Sequence, residues 1–335
     1  MTLISDTWRE IRAADGRGWT ARRLFPESRF EILAGRRGSD DAEALLFEVA
    51  SRSISPASEK PECLGFRLQI EPIEAGPSGR SRLCLVIKDK RYLEVFATLV
   101  QDVADRVVAA ADESAAVHVL LSRLNTWQRF LERFGLNTLT REEEAGLVGE
   151  LLVLEMRLIP TLGPACSVRS WRGPLGEPQD YRAGDVAIEV KATTAREPAS
   201  FQVANLEQLD HDTANRLFVC QILLEIGLDL GVSLPELISR LRTSLAAADP
   251  GAVSEFDSLL LEAGYLDLDA PKYQDRRYRI RHQLWYDVRD AFPRLTRATV
   301  PSGITSARYS VALAECAPFE IEWNEVCRSL EARVA

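Results

Sequence analysis

The stretch GDVAIEVKATT, residues 184–194, constrains this chain more than any other feature. Val186, Ile188 and Val190 fall on every second position, the period of a β-strand with an apolar face. On the opposite face an acid and a lysine, Glu189 and Lys191, stand two residues apart. Upstream, PQDYR and the Ala183-Gly184 turn predict the first arm of a hairpin. Downstream, RLFVCQILLEI (216–226) is mostly apolar, as a central strand covered on both faces must be. Such a strand needs layers above and below it, and helical patterns at 139–159 and 233–247 can supply them, so an α+β or α/β core is expected.

The first of those helices, LTREEEAGLVGELLVLEMRLI, carries Leu147, Leu151, Leu154 and Leu158 on one stripe. Thr140 and Glu143 have capping-box spacing, and Pro160 is expected to close the helix. Glu150 follows Gly149, a small residue that lets another backbone approach. SVRSW (167–171) reads as a short strand, VANLEQLD (203–210) as a short helix, and Ser233 as the cap of the helix over 233–247. Domain boundaries are expected at 1–90 (antiparallel β-rich), 91–137 (helical connector), 138–250 (α/β core) and 251–335 (a small α+β extension). In the first, EALLFEVA, LGFRLQIEPI and RLCLVIKD alternate with period two, each predicting one buried face.

Hairpin parity adds a third polar residue to the face of Glu189 and Lys191. With a two-residue turn placing 182 opposite 185, position 180 faces 187, so Asp180 arrives on the same side. Asp185 shares that face but sits beside the turn, four residues before Glu189, and is the weaker companion. Two carboxylates, with the backbone carbonyl of Val190 between the two strand residues, make a hard oxygen site suited to Mg²⁺ or Mn²⁺. A metal there can polarise a phosphoryl oxygen and supply a hydroxide-like nucleophile. Lys191 can orient the attacking water and stabilise transition-state charge. Glu150, if its helix packs on this sheet, adds a third carboxylate, in the outer shell or at a second metal.

The totals exclude other classes. Three histidines and six cysteines without a CxxC pair give no zinc framework. A net charge of −9 argues against coating nucleic acid by bulk electrostatics, though not against a local basic groove. Only five of the basic residues are lysines against thirty-six arginines, which makes Lys191 a less casual choice. The N-terminus, MTLISDTWREIRAADGRG, has no apolar signal core, so a cytoplasmic location is expected. Arg277, Arg279 and Arg281 in DRRYRIRH fall on one face of a predicted strand, where they could grip phosphates or simply be solvated. Trp285 and Tyr286 read as core, His118 as a core or boundary residue, and His211 as a loop residue without a role.

PQD followed after eight residues by EVK resembles the PD-(D/E)XK nuclease superfamily, with Asp180, Glu189 and Lys191 at its signature positions. Gln179 interrupts the Pro-Asp pair, a departure that superfamily tolerates. More narrowly, GLVGELLVLE, WRGP…QDY, AIEVKATT, LEQLD and FPRL…VPSGITSARYSV resemble a bacterial family grouped with it. The resemblance implies a restriction-endonuclease-like αβββαβ core, divalent-metal phosphodiester cleavage of DNA with Mg²⁺ or Mn²⁺, and Glu150 as the upstream acid. It implies for Gln208 a place near the metal water, and Gln202 is a weaker candidate of that sort. A restriction or phage-defence role is expected from it. Possible companions are an ATPase/helicase or methyltransferase encoded nearby and a second copy of the chain, since cutting both strands usually takes two active sites.

Overall fold

The computed structural model describes residues 3–13, 16, 18–55, 65–73, 79–211, 214–228, 231–289 and 291–332. Two compact units divide the chain, Met1–Asn137 and Thr138–Ala335.

The first unit holds α1 (Ile4–Glu10), β1 (Trp19–Arg23), β2 (Glu31–Arg37), β3 (Glu43–Ala50), β4 (Phe66–Pro72), β5 (Arg80–Ile87), α2 (Leu93–Val108) and α3 (Glu113–Arg133). Its sheet is antiparallel throughout, in the order β1-β2-β3-β5-β4. Residues of both parities on β3 are buried, more than the period-two pattern suggests. The reason lies partly in α1: Trp8 donates its indole N–H to the Ala44 carbonyl at 3.1 Å and stacks on Phe96 of α2 at 5.6 Å. Leu64, expected on β4, lies outside the described residues. His118 is exposed on α3, since the buried stripe of that helix runs through Val117, Leu120 and Leu124.

The second unit begins with α4 (Arg141–Val153), whose Thr140/Glu143 capping box forms as the sequence spacing predicts. Pro160 does not end the helix. A π-turn over Leu154–Leu158 leads into α5 (Ile159–Leu162), with proline in its first turn, where a missing N–H is tolerated. Next come α6 (Pro164–Ser170), β6 (Tyr181–Ala183), β7 (Val186–Thr193), β8 (Ser200–Val203), β9 (Arg216–Gly227), β10 (Val232–Ser233), α7 (Leu234–Ala248), α8 (Pro250–Glu262), α9 (Ala270–Tyr273) and β11 (Arg277–Asp287). The unit closes with β12 (Tyr309–Ala312), α10 (Leu313–Cys316), β13 (Glu320–Ile321) and α11 (Trp323–Glu331). Its main sheet runs β10-β11-β9-β7-β6, with β13 added on β11, and β7 and β9 pair in parallel. β9 is buried from Leu217 to Leu224, as the apolar run requires. One face of the sheet receives α4. The other carries Ala187, Leu217, Val219 and Tyr286 onto the small β8-β12 sheet, through Phe201, Val203 and Val311. The whole is an α+β structure.

Two segments differ from their sequence patterns. SVRSW is helix α6, not strand; Ser167 and Ser170 hydroxyls bond back to the carbonyls of Gly163 and Ser167, and only Trp171 makes a β-bridge, to Tyr181. VANLEQLD ends β8 and then turns, with no helix. Asn205 Oδ1 accepts the N–H groups of Glu207 and Gln208, and the Gln179 amide binds the carbonyls of the same two residues. Those side chains take the backbone groups that a helix would have paired. No helix among the described residues is long and apolar enough to cross a membrane.

Candidate active site

The β6-β7 hairpin turns one residue later than expected, at Gly184-Asp185, because Ala183 pairs with Val186. Gly184 takes the positive φ of 62° that the first central position of such a turn favours. Tyr181 faces Ile188, and one further step sets Asp180 opposite Glu189 rather than diagonal to it. The register has moved by two residues, so the parity that put Asp180 on the face of Glu189 is preserved.

Asp180 is held from three sides. Its carbonyl accepts the N–H groups of Arg172 and Gly173 at 2.7 and 3.0 Å, and its Oδ2 accepts the Val190 N–H at 2.7 Å. Glu189 is 2% exposed; its Oε1 receives the Lys191 ammonium at 2.7 Å, and its Oε2 is buried with no hydrogen-bond partner among the described residues. Lys191, 15% exposed, also donates to Gln208 Oε1 at 3.2 Å. The Ala204 N–H fixes that same oxygen at 2.7 Å.

Glu150 arrives from α4 because Gly149 lets the helix lie on β7: a Cβ there would come within 2.5 Å of the Ala192 Cβ. Trp171 donates its indole N–H to Glu150 Oε2 at 2.6 Å, and the Tyr181 hydroxyl caps the Glu150 carbonyl at 2.7 Å. Gly173 roofs the two acids. A Cβ on it would stand 2.8 Å from Asp180 Oδ1 and 3.5 Å from Glu150 Oε2, so those oxygens flank one small space.

Burial governs the charges here. Glu150 is pushed well above the ordinary glutamate range by desolvation and then by Asp180, while the indole hydrogen bond pulls the other way. Asp180 is pushed up to about 6 by burial, against the Val190 N–H and Lys191. Glu189 is pushed up to about 8, by burial first and Asp180 second. Three acids and one ammonium thus leave an excess of negative charge where water is scarce, a condition relieved by protons or by a cation.

A small hard cation suits this donor set. Glu189 offers an oxygen with no partner, Asp180 Oδ1 borders the space under Gly173, and both are of the type that Mg²⁺ takes while keeping several waters. Among the described residues no three His, Cys, Asp or Glu side chains already form a metal cage. Of Val190, it is the N–H that engages Asp180.

Other expected residues lie elsewhere. Asp185 is occupied at the turn, accepting from the Asn215 amide at 2.8 Å while its carbonyl binds the Arg216 N–H. Gln202 bonds Ser310 on the β8-β12 sheet at 2.6 Å. His211 sets its two ring nitrogens against the carbonyls of Ala214 and Val288. Trp285 and Tyr286 are buried, the former against Trp323 at 4.9 Å. Arg277 and Arg279 stand beside Gly227 and Glu225 and form ion pairs with Glu236 and Glu225, at 2.7 and 2.5 Å. Arg281 departs from the expected common face: it is the extra residue of a bulge between Ile280 and His282 and donates to the Arg196 carbonyl. Past that bulge Arg277 and Arg279 lie on the sheet face of Gln221 and Lys191.

Sequence reasoning gave no role to five residues that support the site. Trp171 and Gln179 stand in the WRGP…QDY stretch, but nothing in its pattern shows that Trp171 binds Glu150 or that Gln179 holds the carbonyls of Glu207 and Gln208. Gln221 does carry a signal, being the one polar side chain between Leu217 and Leu224 of β9. Finally, Arg294 and Arg297 brace the Gln208 segment: Arg294 binds the Leu209 carbonyl, and Arg297 binds Glu207.

No curated protein and no solved structure matches this chain. A family does, from residue 4 to residue 314, and on that span the chain belongs to the family described as "Putative PD-(D/E)XK family member" (DUF4420).

Proposed function

We propose that this chain is a divalent-metal-dependent nuclease that hydrolyses DNA phosphodiester bonds. α4, β6, β7 and β9 would form its restriction-endonuclease-like core. The observation that carries the reading is Glu189. A Glu-x-Lys pair from ordinary polar alternation would sit in solvent, whereas this one is buried, ion-paired, unsatisfied at Oε2 and surrounded by two further acids. Asp180 and Glu189, with the Val190 carbonyl, would hold Mg²⁺ or Mn²⁺, which when bound supplies Lewis-acid polarisation of the phosphoryl oxygen. Lys191 orients the attacking water and offsets charge that develops on the phosphate. Glu150, fixed by Trp171, would offer a further carboxylate to the ion's surroundings. Arg277 and Arg279 would meet DNA phosphates after exchanging their surface acids for them.

The setting we infer is a bacterial restriction or phage-defence system, in the cytoplasm. An ATPase/helicase or methyltransferase would be its partner, and a second copy of the chain would cut the other strand. A second reading, a non-cutting nucleic-acid-binding or scaffold subunit, draws support from Lys191, which occupies Glu189 Oε1. Plasmid DNA incubated with Mg²⁺ or Mn²⁺ and the wild type, Asp180→Ala or Lys191→Ala separates the two. Nicking by the wild type alone supports the nuclease. Equal DNA binding by all three without cleavage supports the second reading.

A further inference from the structure

Gln221 is 1% exposed, and its Oε1 has no hydrogen-bond partner among the described residues. Parallel pairing puts it directly beside Lys191, on the same face of the sheet, as Val219 is beside Glu189. Leu284 lies across from it on β11, and Val219 and Leu223 flank it along β9. Within the sheet the amide therefore has apolar neighbours along β9 and across on β11, and the ammonium-bearing Lys191 on the β7 side. A buried acceptor left unpaired lowers stability, and leucine or methionine would fill this position without that cost.

The lysine supplies the reason for an amide here. An ammonium has three N–H donors, and Lys191 directs its contacts to Glu189 Oε1 and Gln208 Oε1. A divalent cation on Glu189 would repel the ammonium and claim the carboxylate, so Lys191 would have to give up Oε1. The unpartnered acceptor next to it in register is Gln221.

We propose that Gln221 is a positioning residue that receives the Lys191 ammonium when a divalent cation occupies Glu189. It thereby keeps the lysine inside the site, beside the attacking water. This rests on the nuclease reading of the same site. Without the cation that oxygen stays unpaired, because its donor arrives only on loading.

The test uses the full chain and the variants Gln221→Met, which removes the acceptor, and Gln221→Glu, which keeps one. Melting temperature is read in EDTA, Mn²⁺ affinity by calorimetry, and plasmid nicking by initial rate. Gln221→Met should melt about 2–4 °C higher than the wild type in EDTA. It should also bind Mn²⁺ about tenfold more weakly and nick about tenfold more slowly, with KM for plasmid unchanged. Gln221→Glu should hold Mn²⁺ affinity within about threefold of the wild type. A lower melting temperature for Gln221→Met would show that Oε1 has a structural partner in the empty fold, and would overturn the proposal. Unchanged Mn²⁺ affinity in Gln221→Met, with a wild type that binds and cuts, would overturn it while leaving the nuclease reading intact. A wild type that binds no Mn²⁺ ends both.

Discussion

Replacing Glu189 by glutamine keeps the shape of the side chain and removes one titration. In the fold this carboxyl is raised from an ordinary value of 4.5 to about 8 by burial and by Asp180. A carboxyl that holds its proton more tightly when folded costs nothing below its unfolded pKa. Folding stability then falls as pH rises from 4.5 towards 8 and levels off beyond it. Integrated over that window, the loss is on the order of 4 kcal/mol. The wild type in EDTA should therefore lose about that much more stability between pH 5 and pH 8.5 than Glu189→Gln does, as urea unfolding at the two pH values would measure. Adding Mg²⁺ at pH 8.5 should restore much of the wild-type loss and leave Glu189→Gln unchanged, since only a state that binds the ion is stabilised by it. Parallel pH profiles for the two proteins would refute the reasoning, because Glu189 would then be ionised throughout and the pocket wet.

The same protonation predicts that Mn²⁺ affinity of the wild type rises with pH between about 6 and 8, as Asp180 and Glu189 give up their protons; calorimetry in two buffers of different ionisation enthalpy would count the protons released. Gly149→Ala should cost about 1–3 kcal/mol, read as a lower urea midpoint, since its Cβ meets Ala192 at 2.5 Å and α4 must lift from β7. Trp171→Phe should cost about 1–3 kcal/mol in the same assay by removing the indole donor from Glu150. Arg277→Ala with Arg279→Ala should flatten the salt dependence of plasmid binding by about two counterions, as binding measured over a salt series would read.

What the sequence made legible follows from periodicity. The strand of Glu189 and Lys191 could be read because its alternation is strict, and Asp180 could be placed because parity survives a register slip of two. The capping box at Thr140 and the buried central strand could be read for similarly local reasons. Helix α6 could not, because a segment as short as SVRSW holds too few residues to show a period, and its serines bond backward to the helix carbonyls only in the fold. Nor could the turns at Asn205, where side chains outcompete the helix for backbone partners. The bulge at Arg281 leaves no mark in composition, yet it decides which arginines share the site's face. Gln221 was visible as one polar residue in an apolar run, but only the parallel register names its neighbour as Lys191.

The bracing of the Gln208 segment by Arg294 and Arg297 has a consequence for synthesis. On a ribosome adding about 5–20 residues per second, Asp180, Glu189 and Lys191 emerge well before β11 and the two arginines. Until residues 277–297 follow, β9 has an unpaired edge and the loop holding Lys191's second acceptor lacks its props. The site is thus completed by late-made chain, so a partly made molecule carries Asp180 and Glu189 without the frame that fixes Gln208 beside Lys191.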